Sequence, residues 1–250
     1  MGILGDFVFG GPCMHIFIQR EKNMKKILAL AAVAVTAVAL ASADPLFVGH
    51  AYFGVGLGSA VQDWNSNNNT RSDLNKSYYS WNFGSNLDFG AGVAINIPFG
   101  DYFGFQPGVD FYVNNVGYHF ENSSANVKRD RTFTYLSIDI PLLLTAKINK
   151  WNFSIGPYVS IPLGDTSALY SDDTNAVKYK HSWGSIGAMV GVGYEQRIGL
   201  GRLVIGGRYM HDFMPIDVYR EYSNGTKYDT LSLWRGALAV DVAYKIPLSF

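Results

Sequence analysis

From Leu238 to Phe250 the chain alternates strictly. Leu238, Val240, Val242, Tyr244, Ile246, Leu248 and Phe250 are apolar, and Ala239, Asp241, Ala243, Lys245, Pro247 and Ser249 lie between them. A period of two marks extended chain with two unlike faces, because successive strand side chains point to opposite sides. The same alternation recurs upstream and predicts strands near 48–61, 85–98, 102–117, 132–148, 151–163, 182–197, 202–215 and 231–250. Each has the length, about ten residues or more, that a tilted strand needs to cross a bilayer. After Ala43 no stretch of about twenty apolar residues occurs, so the pattern predicts no spanning helix.

The connections between these strands are unequal. Long polar gaps at 62–84, 118–131, 164–181 and 216–230 alternate with tight ones at 99–101, 149–150 and 199–201. A soluble sandwich has no reason to sort its loops by length onto one end. A bacterial outer-membrane barrel does, with short periplasmic turns and long external loops. The expected fold is therefore all-β, an eight-stranded antiparallel up-and-down transmembrane β-barrel. An even strand count puts both termini on the periplasmic side.

Parity then assigns the faces. Leu87, Phe89, Ala91, Val93, Ile95 and Ile97 oppose Asn86, Asp88 and Asn96. Phe103, Phe105, Val109, Phe111 and Val113 oppose Gln106, Asp110 and Asn114, and Leu136 to Ile148 alternate in the same way against Ser137, Asp139, Thr145 and Lys147. Hydrocarbon solvates neither a charge nor an unpaired backbone group, so the apolar set must face lipid and the sheet must close. The inward set then collects Asp88, Asp110, Asp139, Lys147, Glu195, Arg197, Arg208, Asp212, Arg235, Asp241 and Lys245. Their charges nearly cancel, and eight strands leave an interior that side chains can fill. An ionic network plugging the lumen is the expectation. Inward-parity glycines (Gly54, Gly56, Gly58, Gly90, Gly92, Gly191, Gly193) would make room for those long side chains. Phe99, Phe103, Trp151, Tyr194, Tyr244 and Phe250 gather near the tight turns, as an interfacial girdle does. Pro107, Pro141 and Pro157 fall inside strands, where each lacks a ladder donor; bulges would reconcile them.

Residues 24–43, MKKILALAAVAVTAVALASA, read as a secretory signal peptide: Lys25 and Lys26, an apolar run, then a small-residue cleavage site at Ala41–Ala43. Residues 1–23 read as a mis-called extension ahead of Met24, which leaves 44–250 as the barrel domain. Charged residues make up 16% of the chain and aromatics 15%, with no net charge. That balance argues against nucleic acid as a partner. The single cysteine, Cys13, lies in the extension, so the exported domain has no disulfide framework and no thiolate metal site.

The segments FGFQPGVDFYV (103–113), YLSIDIPLLLTAKI (135–148), WNFSIGPYVSIPLG (151–164), GAMVGVGYEQRI (187–198) and LVIGGRYMHDF (203–213) resemble, in order and spacing, the PorT-type outer-membrane β-barrel domain family. The resemblance implies an eight-stranded barrel in the outer membrane of a double-membraned bacterium, with outer-membrane lipid and a lipopolysaccharide-like glycolipid around it. The ending resembles the assembly signal of such barrels, in which a terminal aromatic follows apolar residues spaced by two. Phe250, Leu248, Ile246 and Tyr244 fill it, and the barrel-assembly machinery would read it.

Other chemistry finds little support. His50, His119, His181 and His211 are scattered without an i, i+2 pair on one face, so no metal site is expected. His211 and Asp212 are adjacent and must point to opposite faces of a strand, which rules them out as a dyad. No Gly-x-Ser-x-Gly elbow and no Gly-x-Gly-x-x-Gly before a helix occurs, so neither that hydrolase chemistry nor a nucleotide cofactor is expected. The long gaps carry Tyr78, Tyr79, Trp81, Tyr170, Tyr179, Tyr219, Tyr222 and Tyr228. Tyrosine supplies rigid amphipathic contact area, which suits an extracellular ligand on the loops. The reading is a non-enzymatic outer-membrane barrel with a plugged lumen and a structural or surface-binding role. A narrow transport or secretion-associated barrel is the alternative, and a lipid-modifying enzyme a weaker one.

Overall fold

The computed structural model describes residues 45–62, 87–122, 127–170, 177–181, 183–221 and 227–248. The leader 24–43 with Ala41 and Ala43, the extension 1–23 with Cys13, and Phe250 lie outside the described residues. So do most of the first long gap and the tips of the other three.

Twelve strands are described: β1 (Leu46–Gly56), β2 (Ser59–Gln62), β3 (Leu87–Phe99), β4 (Phe103–Asn122), β5 (Val127–Ile148), β6 (Trp151–Tyr170), β7 (Val177–His181), β8 (Ser185–Ile198), β9 (Gly201–Met214), β10 (Ile216–Glu221), β11 (Lys227–Trp234) and β12 (Gly236–Pro247). They make eight staves, because β1 with β2, β7 with β8, β9 with β10 and β11 with β12 are each one crossing interrupted by a short break. All pairings are antiparallel. β1 pairs with both β3 and β12, and β8 joins β6 to β9, so the sheet closes on itself. Closure satisfies the backbone without leaving an edge around the belt.

The tight turns are made by residues that tolerate positive φ: Gly100 (73°), Asn149 (56°) and Gly199 (59°). At the other end the strands run further than the alternation predicts. β4 and β5 stay paired out to Asn122 opposite Val127, and β6 reaches Tyr170, so much of 118–131 and 164–170 is ladder. Polarity misplaced these boundaries. Beyond a bilayer the outer face of a strand meets water instead of hydrocarbon and need not be apolar, so alternation fades while pairing continues.

The in-strand prolines do not coincide with bulges. The β3–β4 ladder skips the rungs at Ile95 and Asn96 beside Pro107, β4–β5 skips those beside Pro141, and β5–β6 those beside Pro157. In each case pairing resumes in the same register. Register shifts lie elsewhere, between Thr134 and Leu136, Ile186 and Gly187, and Val218 and Arg220. Ile97, expected outward, is fully buried at the rung where β3 resumes pairing with β4. Elsewhere the outward parity holds, with Phe53, Phe89, Phe111, Leu144, Ile155, Val192, Ile205 and Val240 all exposed. Near the turns, Phe99 stacks on Phe103 (centroids 6.4 Å apart) and Trp151 meets Tyr194 edge-on (5.6 Å). The Tyr244 hydroxyl donates to the Ile198 carbonyl (2.9 Å).

Candidate functional site

The inward side chains form successive layers along the bore. At the loop end, Val116, Phe133, Tyr135, Ala168, Tyr179, Ile216, Val218, Leu231 and Leu233 make a buried apolar cluster. It draws on β4, β5, β6, β7, β10 and β11, and Ala168, Tyr179, Ile216 and Val218 come from strand beyond the expected boundaries. Tyr179, grouped by sequence with the loop tyrosines, is fully buried here and is not part of a loop surface. Its strand β7 continues the ladder and turns the ring inward against Phe133 (5.5 Å).

Beneath the cap sits Arg235, at the break between β11 and β12 and 1% exposed. The break frees its backbone from the regular ladder. Its N–H donates to Asp212 Oδ2 (3.2 Å) and its carbonyl accepts from the Asp212 N–H (2.9 Å). The guanidinium crosses the bore: Nη1 donates to Asn114 Oδ1 and to Asp139 Oδ2, both at 2.8 Å, and Nη2 lies 3.6 Å from Asp212 Oδ1. The rings of Tyr158 and Tyr112 lie 4.8 and 5.3 Å from its central carbon, close enough for cation–π attraction. Asp139 also accepts from Ser160 (2.6 Å) and Ser137 (2.9 Å), and the Tyr158 hydroxyl donates to Asp212. Asp88 accepts the Asn115 N–H (2.7 Å).

The next layer is built on Arg208. Nη2 donates to Asp241 Oδ2 (2.7 Å) and Nη1 to Asp110 Oδ2 (3.3 Å), while the other Asp110 oxygen meets His50 Nε2 at 2.7 Å. Tyr52 lies under the guanidinium (4.7 Å) and stacks on Tyr112 (5.0 Å), which ties this layer to the one around Arg235. Gly92 makes the space: a Cβ there would stand 2.1 Å from Asp110 Oδ1 and 2.6 Å from the Val109 carbonyl.

At the turn end Glu195 gathers Lys147, Arg202 (3.2 Å) and Lys245 (3.4 Å), and Lys245 also donates to Asn152 Oδ1 (2.8 Å). A cavity of about 60 Å³ separates this layer from Arg208; Val48, Gln106, Thr145, Asn152, Asp241 and Lys245 are among its walls.

Of the eleven charged residues that parity gathers, ten share these layers. Arg197 does not; it is exposed beside the turn at 199–200, past the point where the bore confines a side chain. Parity placed Asn114 and Ser137 inward, but it did not say which neutral side chains would partner the ions. Asn114, Ser137, Ser160, Tyr52, Tyr112 and Tyr158 are all inward, but nothing in their spacing says that they will meet an ion. Arg202 and His50 did carry a signal, since Arg202 shares the parity of Arg208 and His50 that of Gly54. His211 is exposed on the outer wall between Tyr209 and Phe213 while Asp212 is fully buried, so the pair stays apart as adjacency requires. Among the described residues no group of three or more His, Cys, Asp or Glu is placed to hold a metal ion.

Residues 44–218 match the family described as outer membrane protein beta-barrel domain. The chain belongs to this family. It is thus an outer-membrane β-barrel, and its exposed apolar belt is the lipid-facing surface. Among solved structures it is similar to Neisserial surface protein A (15% identity, 79% of this chain and 95% of that one, TM-score 0.37). It is also similar to the outer membrane protein OprG from Pseudomonas aeruginosa (11% identity, 82% and 96%, TM-score 0.38). A third is a major outer membrane protein from Thermus thermophilus (12% identity, 81% and 99%, TM-score 0.45). No curated protein sequence matches the chain.

Proposed function

We propose that this barrel is closed to solutes by its own side chains and works at the cell surface, as a structural or surface-binding protein rather than a channel or an enzyme. The observation that carries this reading is Arg235. It is fully buried, ion-paired across the bore, and roofed by the apolar cluster from Val116 to Leu233. A solute would have to break a desolvated ion pair and part an apolar cap to pass, and breaking such a pair costs several kcal/mol. In this reading the long gaps face outward, both termini are periplasmic, and outer-leaflet glycolipid surrounds the loop end. The barrel-assembly machinery reads Tyr244, Ile246, Leu248 and Phe250, and an extracellular ligand sits on the tyrosine-rich loops. The PorT-type likeness of the strand segments is kept as the finer family placement.

The test of closure is single-channel conductance of the refolded full-length barrel in planar bilayers. The expected record is silent or shows brief, small events. A steady conductance of porin size overturns closure and favours the transport alternative. Orientation is tested separately by adding protease to whole cells, where cleavage is expected within 62–84. Cleavage at 99–101 or 149–150 with 62–84 spared would invert the topology.

A further inference from the structure

The charges of the bore do not merely cancel; they are sorted along its axis. Around Arg235 two carboxylates, Asp139 and Asp212, share one guanidinium, and Asp88 is buried at the same end on the Asn115 N–H. At the turn end three cations, Lys147, Arg202 and Lys245, share the one carboxylate of Glu195. Lys150 and Arg197 are exposed at the same rim and add positive charge, and Asp101 in the turn 100–102 offsets part of it. The cavity lies directly behind this cationic rim. At about 10–15 Å³ for each ordered water, its 60 Å³ holds about four to six waters, or one group of phosphate size.

Two of its walls are chemically unfinished. Lys245, only 7% exposed, holds Asn152 by its Oδ1, which turns the Asn152 amide donors elsewhere, and Nδ2 is buried without a hydrogen-bond partner. Further in, Asp241 gives one oxygen to Arg208, and its other oxygen is buried without a partner. Buried donors and acceptors are costly to leave unpaired. An occupant that completes the site must accept hydrogen bonds from Asn152 and Lys245 and donate one towards Asp241. The hydroxyl of Thr145, on the same wall, already accepts from Asn96 (3.0 Å). Water can do both, and among the anions that the cationic rim attracts hydrogenphosphate also does, because it carries acceptor oxygens and an O–H. Sulfate at neutral pH has no proton to donate. A lipid phosphodiester has neither the O–H nor access, since these groups face the bore and not the outer wall.

We propose that the turn-end vestibule binds a small protonated oxyanion of the hydrogenphosphate class, taken from the aqueous phase. Lys245 and Asn152 donate to its oxygens, and Asp241 accepts its O–H directly or through a water. Glu195 holds the rim cations in place. The site depends neither on closure of the bore nor on its orientation, so the conductance result and this one are independent.

The experiment is a titration of the refolded full-length barrel in zwitterionic detergent with inorganic phosphate near pH 7, against sulfate and chloride at matched ionic strength. Side-chain NMR signals of Asn152 and Lys245 are followed. Saturable shifts with phosphate are expected, with sulfate about tenfold weaker and chloride without effect. Asn152→Ala should weaken phosphate binding about tenfold, and Asp241→Asn should narrow the gap between phosphate and sulfate. Equal, non-saturating shifts with all three salts would mean simple screening of the rim and overturn the site. A parallel arm compares nanodiscs of phosphatidylglycerol and phosphatidylcholine without added phosphate. Shifts that appear only with phosphatidylglycerol assign the rim to a lipid headgroup and overturn the proposal. The parent protein alone decides the salt and nanodisc outcomes, so a variant that fails to fold leaves the test intact.

Discussion

Arg235→Leu is expected to lower the unfolding free energy of the refolded barrel by about 3–5 kcal/mol, measured by urea titration in lipid vesicles. The substitution removes the one cation that Asp139 and Asp212 share, and both carboxylates are fully buried. It also strips Asn114 of the donor at 2.8 Å and leaves two tyrosine rings without the charge they face. The leucine itself is compatible with the apolar cluster above, so lost packing is not the main effect; the uncompensated charge is. If Arg235→Leu is neutral or stabilising, the layer is not a desolvated ion network, and closure of the bore loses its main support.

Val240→Lys tests the opposite face at a neighbouring position. Val240 is 58% exposed near the middle of β12, while Asp241 beside it turns to Arg208. A lysine on the lipid side near the bilayer midplane costs about 2–4 kcal/mol, and the cost fades towards the interfaces. The expected result is a loss of that size by the same urea titration. No loss would mean that this face does not meet hydrocarbon and that the parity assignment of β12 is inverted.

The alternation in segments such as Leu238–Phe250 determined the strands, their two faces and the barrel class. The reason is local: a strand crossing a bilayer has one face in hydrocarbon, and each residue must declare its side within a two-residue period. Gap lengths likewise determined which end carries the tight turns, because Gly100, Asn149 and Gly199 permit turns that few other residues do. Only the tertiary structure decided where the strands end, since β4, β5 and β6 continue as paired ladder where the outer face no longer has to be apolar. It alone decided the layering of the bore. Parity places Asp139, Asp212 and Arg235 on one side, but their meeting depends on register between staves 23 to 96 residues apart in sequence. It also decided the axial sorting of charge, with Arg235 among carboxylates at one end and Glu195 among cations at the other. A net count is blind to that arrangement, because a sum of charges has no position, whereas a closed barrel gives every inward residue a height along its axis.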